Sequence, residues 1–371
     1  FPKFFHPDPS VKRRDGFLRP QLNNSQTLGS SLYVPYFKTL GHDKDLTIKP
    51  IFFEKFTKFE KEKYILQSEF RKKNKDSFLI TDFAILRDYY SASDKKTKNV
   101  NHLFLDYESD LKFPNYLDSR FEARIERVTN DTYLKVFQNN LVFTPGMLKS
   151  QSTMHSNLRF YLDKEDQNLS TGIDIFETLG TKHSDRYQYI FPYYDFYKNL
   201  NSIPVIENIF TSGALDFHSS GNNTLVNTNN LKTSIVNNFN YSSNDFISNL
   251  GFKNNFYFYL KNLNSIGKND AIYTSNAQLD GMSIIKFDTS FPLIKSKDIV
   301  KETLTPKISF RLNPGNNMND YSGSSSIITA HNAFDINRLG ISNDFEAGRS
   351  LTFGIDYKID HLEENKSEDI K

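Results

Sequence analysis

The feature that most constrains this chain is an alternation of apolar and polar residues, carried through runs too long for ordinary soluble strands. In "SRFEARIER", Phe121, Ala123 and Ile125 fall on one face, and Arg120, Glu122, Arg124 and Glu126 on the other. In "NNFYFYLKN", Phe256, Phe258 and Leu260 share a face. "KYILQSEFR" sets Tyr64, Leu66 and Phe70 against Lys63, Gln67, Glu69 and Arg71, with Ile65 and Ser68 breaking the pattern. A period of two is the signature of a strand, and helical periodicity is scarce throughout. Such runs, about 9–13 residues long, recur at roughly 20-residue spacing between Asn, Asp, Gly, Ser and Lys turns, as in a meander of long antiparallel strands.

Strand length separates the architectures open to this pattern. Strands of a soluble sandwich are commonly about 5–6 residues, whereas a tilted strand crossing a bilayer needs about 9–11. The aromatic content agrees: 34 Phe and 20 Tyr, with no Trp, favour strands over helices. The chain has no stretch of about 18 apolar residues, which excludes a transmembrane helix. A membrane-crossing barrel stays open, because its alternating strands average to a polar profile. The expected fold is therefore all-β, a large antiparallel transmembrane β-barrel with roughly 14 to 17 strands present, ahead of a soluble solenoid or sandwich. Phe121, Ala123, Ile125, Phe256, Phe258 and Leu260 are expected to face outward. Residues 199–212 and the Gly/Asn/Ser-rich 313–333 are expected to form long loops, and 361–371 a polar tail. No signal peptide is visible and the first residue is Phe1, so the chain is expected to be a piece of a longer protein.

The net charge of +2 gives no global field that would argue for nucleic acid. The lysine clusters at 72–75 and 95–98 read as solvated turns. Without cysteine there is neither a disulfide framework nor a thiolate metal site. The eight histidines are scattered, and no metal-ligand spacing, nucleophile elbow, phosphate loop or dinucleotide glycine set occurs. Acidic pairs such as Glu60/Glu62 and Glu363/Glu364 read as solvated turns and tail. No catalytic residue or metal ligand is assigned, the chain is not expected to be an enzyme, and no cofactor is called for.

Two features remain. "GFLRPQLNNSQTLGSSLYVPYF" reads as two strands joined by a polar turn, with Pro20 inside the first and Pro35 inside the second. Proline has no N–H to give to a ladder, so both strands are built to pair poorly. Pro50, Pro192, Pro292 and Pro306 also interrupt strand-like runs. In "HPDPSVKRRDGFLRP" a proline-rich segment leads to Lys12, Arg13 and Arg14, then to a turn at Asp15 and Gly16 before Phe17. That stretch is either a linker with a turn or a domain junction at a membrane rim.

The same residues carry a family resemblance. "VKRRDGFLRP", "YVPYF", "DLTIKPIFF" and "LQSEFR" are followed in order by "RFEARIERVTNDTYLKVF", "ETLTPKISFRL" and "FDINRLGISNDFEAGRSLTFGI". The succession resembles the barrel region of the LptD family of LPS-assembly proteins, densely over residues 10–71 and 334–355 and thinly between. The resemblance implies that residues 1–11 end a periplasmic β-jelly-roll and that 12–360 are strands of a partial barrel whose last strands lie beyond the chain. It implies insertion of lipopolysaccharide into the outer leaflet of the Gram-negative cell outer membrane, through a lateral seam where the first strands pair weakly with the last, at Pro20 and Pro35. Lys12, Arg13, Arg14, Asp15, Gly16 and Phe17 would form the junction motif. Arg338, Asp344, Glu346, Gly348 and Arg349 would form a later family motif; "GISNDFE" stands where the family has "GYDRIE", so Asp344 and Glu346 match loosely. The partners implied are lipopolysaccharide, a plug lipoprotein (LptE), a periplasmic LPS-bridge protein (LptA) and outer-membrane lipids, with no nucleic acid.

The alternative is a general outer-membrane porin or receptor barrel passing solutes along its axis, and a third is a β-rich adhesin. A porin would carry a constricting loop and would need no proline-weakened seam.

Overall fold

The structure, a computed structural model, describes residues 13–25, 28–54, 63–91, 96–202, 213–297, 300–315, 318–319, 327–339 and 344–361. The chain enters as β1 (Gly16–Phe17) and β2 (Gln21–Ser25) and returns as β3 (Gly29–Tyr33) and β4 (Tyr36–Thr39). Long strands follow: β5 (Lys44–Phe53), β6 (Lys63–Lys73), β7 (Ser77–Ser91), β8 (Lys96–Asp110) and β9 (Asp118–Val128). After a short helix α1 (Tyr133–Val136) come β10 (Thr153–Lys164), β11 (Gln167–Thr178), β12 (Tyr187–Asn199), β13 (Gly213–Val226) and β14 (Asn230–Ser243). The remainder comprises β15 (Phe246–Ile247), β16 (Lys253–Lys268), β17 (Gln278–Ser290), β18 (Leu293–Lys297), β19 (Val300–Asn313), β20 (Met318–Asn319), β21 (Asp344–Phe345) and β22 (Gly348–His361). Twenty of these belong to one sheet, and β20 with β21 forms a separate ribbon. The fold is all-β, with almost no helix among the described residues.

Two compact units divide the chain: residues 1–165, 169–193 and 224–229, and residues 166–168, 194–223 and 230–371. In the first, β5 to β10 each pair antiparallel with the next strand. In the second, β14 pairs with β16, β16 with β17, β17 with β19 and β19 with β22. Neighbours in sequence are neighbours in the ladder, which is the meander that the recurring turns imply.

Both units are inside-out relative to a soluble protein. In the first, Phe83 opposes Leu103 and Leu105 opposes Ile125, and Phe83, Leu103 and Ile125 are exposed. Asp82, His102, Arg124 and Glu126, on the other face of the same strands, are buried. In the second unit Phe258 opposes Ile285, Phe287 opposes Phe310 and Ile308 opposes Phe353, all exposed, while Lys261, Lys286 and Arg311 are buried. Water would penalise both halves of that arrangement. It is the distribution of a transmembrane barrel wall, apolar toward lipid and polar within. Of the residues expected outward, Ile125, Phe256, Phe258 and Leu260 are exposed; Phe121 and Ala123 lie on the same face, partly covered.

The polar face of the first unit is not bare. Residues 129–152, between β9 and β10, fold onto it and bring an apolar core. Tyr133, Leu134, Phe137, Leu141 and Met147 pack with Ile51, Ile65, Leu86, Val100 and Phe104. That explains why Ile65 breaks the alternation of β6: it points to the charged face because this segment covers it.

Of the expected loops, 199–212 begins with Asn199 still in β12 and a short 3-10 turn at Leu200–Ser202, and 203–212 lies outside the described residues. In 313–333, Asn313 ends β19 and 327–333 is irregular, while 316–317 and 320–326 lie outside the described residues. So do 1–12, including the expected jelly-roll end and Lys12, and 362–371, nearly all of the expected tail.

Candidate functional site

The two prolines flagged in the sequence face one interruption of the sheet. β1 pairs with β4 through Gly16↔Phe37 and Phe17↔Tyr36, and β2 with β3 through Gln21↔Tyr33 and Leu22↔Leu32. Between those ladders Leu18, Arg19 and Pro20 stand opposite Val34 and Pro35, three residues against two, so the first strand bulges. On the other side the register runs through, with Tyr33↔Ile51 and Tyr36↔Ile48 placing Val34 opposite Pro50. Leu18 donates its N–H to Pro35 O at 2.8 Å, and Val34 donates to Pro50 O at 3.2 Å. An ordinary hydrogen-bonded pair exchanges two such bonds, and proline can return neither. Pro20, Pro35 and Pro50 therefore lie about a residue apart in register on three successive strands, so the device extends beyond the two prolines of the first strands.

The second unit repeats it. Ser290↔Lys307 and Leu293↔Leu304 leave Phe291 and Pro292 opposite Pro306 and Thr305, and Phe291 donates to Pro306 O at 3.0 Å. Pro306 also opposes Ile355 of β22, the last described strand, so it is not remote from the chain's end strands.

The junction residues clamp the entering chain. Arg13 Nη1 donates to Asp45 Oδ2 at 2.9 Å, and Arg71 Nε donates to Asp45 Oδ1 at 2.9 Å. Asp15 accepts from Thr39 Oγ1 at 2.5 Å and Thr39 N at 2.7 Å, and these bonds hold its carboxyl below the usual range. Gly16 and Phe17 form β1, and the Phe17 ring meets Tyr36 edge-on at 5.1 Å. Arg14 is exposed.

The inward segment is pinned by buried charge, which sequence reasoning missed. Lys49 Nζ donates to Glu69 Oε2 at 2.7 Å, Asp82 Oδ2 at 3.2 Å and Val142 O at 2.7 Å. Gln67 reads both backbone groups of Val142, donating to its O at 3.0 Å and accepting from its N at 3.2 Å. His102 lies between Asp82 Oδ1 at 2.7 Å and the Tyr133 hydroxyl at 3.2 Å. Arg124 donates to Met147 O at 2.6 Å while paired with Glu126 Oε1. The available signal was local: Tyr133, Leu134, Phe137 and Leu141 follow helical rather than alternating spacing.

In the second unit Arg338 and Glu346, two of the later motif residues, meet: Arg338 Nε donates to Glu346 Oε1 at 2.5 Å. Buried Arg311 joins them, with Nη1 at 3.3 Å from Glu346 Oε1 and Nε donating to Ile336 O at 2.9 Å. Gly348 takes a positive φ of 98° at the start of β22, and Arg349 is exposed opposite Leu312. Asp344 pairs with Asn319 through the β20–β21 ribbon. No group of residues suited to a metal ion occurs among the described residues.

No protein-family model matches the chain, and no curated protein does. Sixteen chains of solved structures match it. One is a bacterial polysaccharide outer membrane secretin, 10% identical, with a TM-score of 0.26 over 89% of this chain and 90% of that one; at that score neither residues nor activity carry across.

Proposed function

We propose that this chain is part of the wall of an outer-membrane β-barrel that inserts lipopolysaccharide into the outer leaflet through a lateral seam. The observation that carries the reading is the row of Pro20, Pro35 and Pro50, where Leu18 and Val34 each donate a bond that is not returned. Each missing return forgoes about 0.5–1.5 kcal/mol, and a sheet in lipid has no water to replace it. Weak pairing among the first strands loosens the edge that meets the last strand of the whole barrel, and at that seam a bulky amphiphile can part them. The resemblance to the LptD family supplies the substrate, and with it a plug lipoprotein of the LptE kind and a periplasmic bridge of the LptA kind as partners. The test replaces Pro20 and Pro35 together in the full-length protein in cells, with Pro192 as control. Surface lipopolysaccharide and resistance to large antibiotics should fall while folding and abundance hold. Unchanged delivery would reduce these prolines to strand punctuation.

A second reading has its own support. Residues 129–152 lie on the polar face as a constricting segment would, which suits a barrel passing solutes along its axis. Conductance of the reconstituted protein that rises when the Lys49 contacts are removed would favour it.

A further inference from the structure

The strand ends beside the entering chain hold a like-charge pair that no ion pair among the described residues balances. Lys44 of β5 and Lys72 of β6 are direct cross-strand partners on the outward face. Like charges placed opposite one another destabilise a sheet. Among the described residues neither lysine makes an ion pair, although the Asp43 carboxylate stands near the Lys44 stem, and the other nearby carboxylates are engaged elsewhere. Asp45 is held by Arg13 and Arg71, Asp76 by Lys112, and Asp15 by Thr39. Lys38, whose charge also acts on Asp15, adds a third outward cation on β4, opposite Leu46. The next outward positions are apolar: Leu46 opposes Phe70, and Leu79 opposes Lys72 itself. Three cations thus border an apolar surface at one rim of the sheet.

We propose that Lys38, Lys44 and Lys72 seat the phosphate of an anionic membrane lipid, with its acyl chains lying along Leu46, Phe70 and Leu79. A phosphate between the facing ammonium groups turns a repulsion into two attractions. The long lysine stems reach from the apolar belt to the headgroup level, as snorkelling side chains do. A soluble anion would satisfy the charges but not use the adjoining apolar surface, which selects a lipid. The inference rests on the outward face being lipid-facing, and its test separates the two ideas.

The full chain is reconstituted into vesicles of phosphatidylcholine with or without phosphatidylglycerol, and lipid retained on extraction is measured by mass spectrometry. Phosphatidylglycerol should be enriched over phosphatidylcholine. K44Q/K72Q should lower that enrichment about tenfold, K44R/K72R should keep it, and K358Q, on another strand, should leave it unchanged. Excess inorganic phosphate should not displace the lipid. Enrichment equal in K44Q/K72Q and the parent, or lost equally in K358Q, would overturn the seat, and displacement by inorganic phosphate would make it a plain anion site. If K44Q/K72Q fails to fold, absence of phosphatidylglycerol enrichment by the parent protein overturns it equally. A chain that does not enter vesicles at all refutes the membrane reading instead.

Discussion

Leu18 gives its backbone N–H to the carbonyl of Pro35 at 2.8 Å, and Pro35 has none to give back. Val34 stands in the same relation to Pro50. The two half-made pairs fall at about one level in adjoining ladders, so both strand pairings lose a bond near the same place.

Replacing Pro35 with Ala returns a donor to the Leu18 pair. The bond contributes about 0.5–1.5 kcal/mol, but removing proline also frees the unfolded chain by about 0.4–1 kcal/mol. The terms nearly cancel, so global melting will hardly move. The expected readout is local: the new amide at position 35 exchanges slowly with deuterium, and β1 and β4 gain protection. Fast exchange there would mean that the bulge, not the missing donor, keeps the strands apart.

Lys49→Met removes the cation shared by Glu69 and Asp82 and leaves both carboxylates buried. Breaking a buried pair from one side costs about 3–5 kcal/mol. Because Lys49 also holds Val142 O, the loss should appear first as protease cleavage within residues 129–152, ahead of loss of the strands. Simultaneous loss would show that the segment and the sheet form a single cooperative unit.

Phe258→Arg tests which solvent the outward face meets. In lipid an arginine near the midplane costs about 2–4 kcal/mol, whereas on a water-exposed sheet the change is close to neutral. Phe137→Ala, in the buried core under the inward segment, should cost about 3–5 kcal/mol either way. Urea titration of the reconstituted protein compares them, and an unperturbed Phe258→Arg would place that face in water.

Asp270 lies in the turn after β16 and accepts backbone N–H bonds from Tyr273 and Ile272, each at 2.8 Å. The Tyr273 bond above all, with that of Ile272 and the charge of Lys232, holds its carboxyl below the usual carboxylate range, although burial works the other way. A depressed folded-state value means that the stabilisation is present above the unfolded value and lost as pH falls through the folded one. Asp270→Ala should therefore weaken the turn at neutral pH, and the difference from the parent should shrink below about pH 4. Amide exchange at Ile272 and Tyr273 across that range measures it.

The alternation by itself determined the all-β class, the long antiparallel meander and the outward side of Ile125, Phe256, Phe258 and Leu260. Side-chain direction in a strand is a local property with a period of two, so it can be read without knowing the partner strand. It also marked Pro20 and Pro35 as poor donors, because a missing N–H belongs to the residue. Only the tertiary structure decided that Pro50 stands beside them, since that follows from the register of three strands. The same holds for the pinning of Val142 by Lys49 and Gln67, groups 93 and 75 residues away, and for the facing of Lys44 and Lys72. Partnership of that kind depends on where the chain returns in space, which no local periodicity encodes.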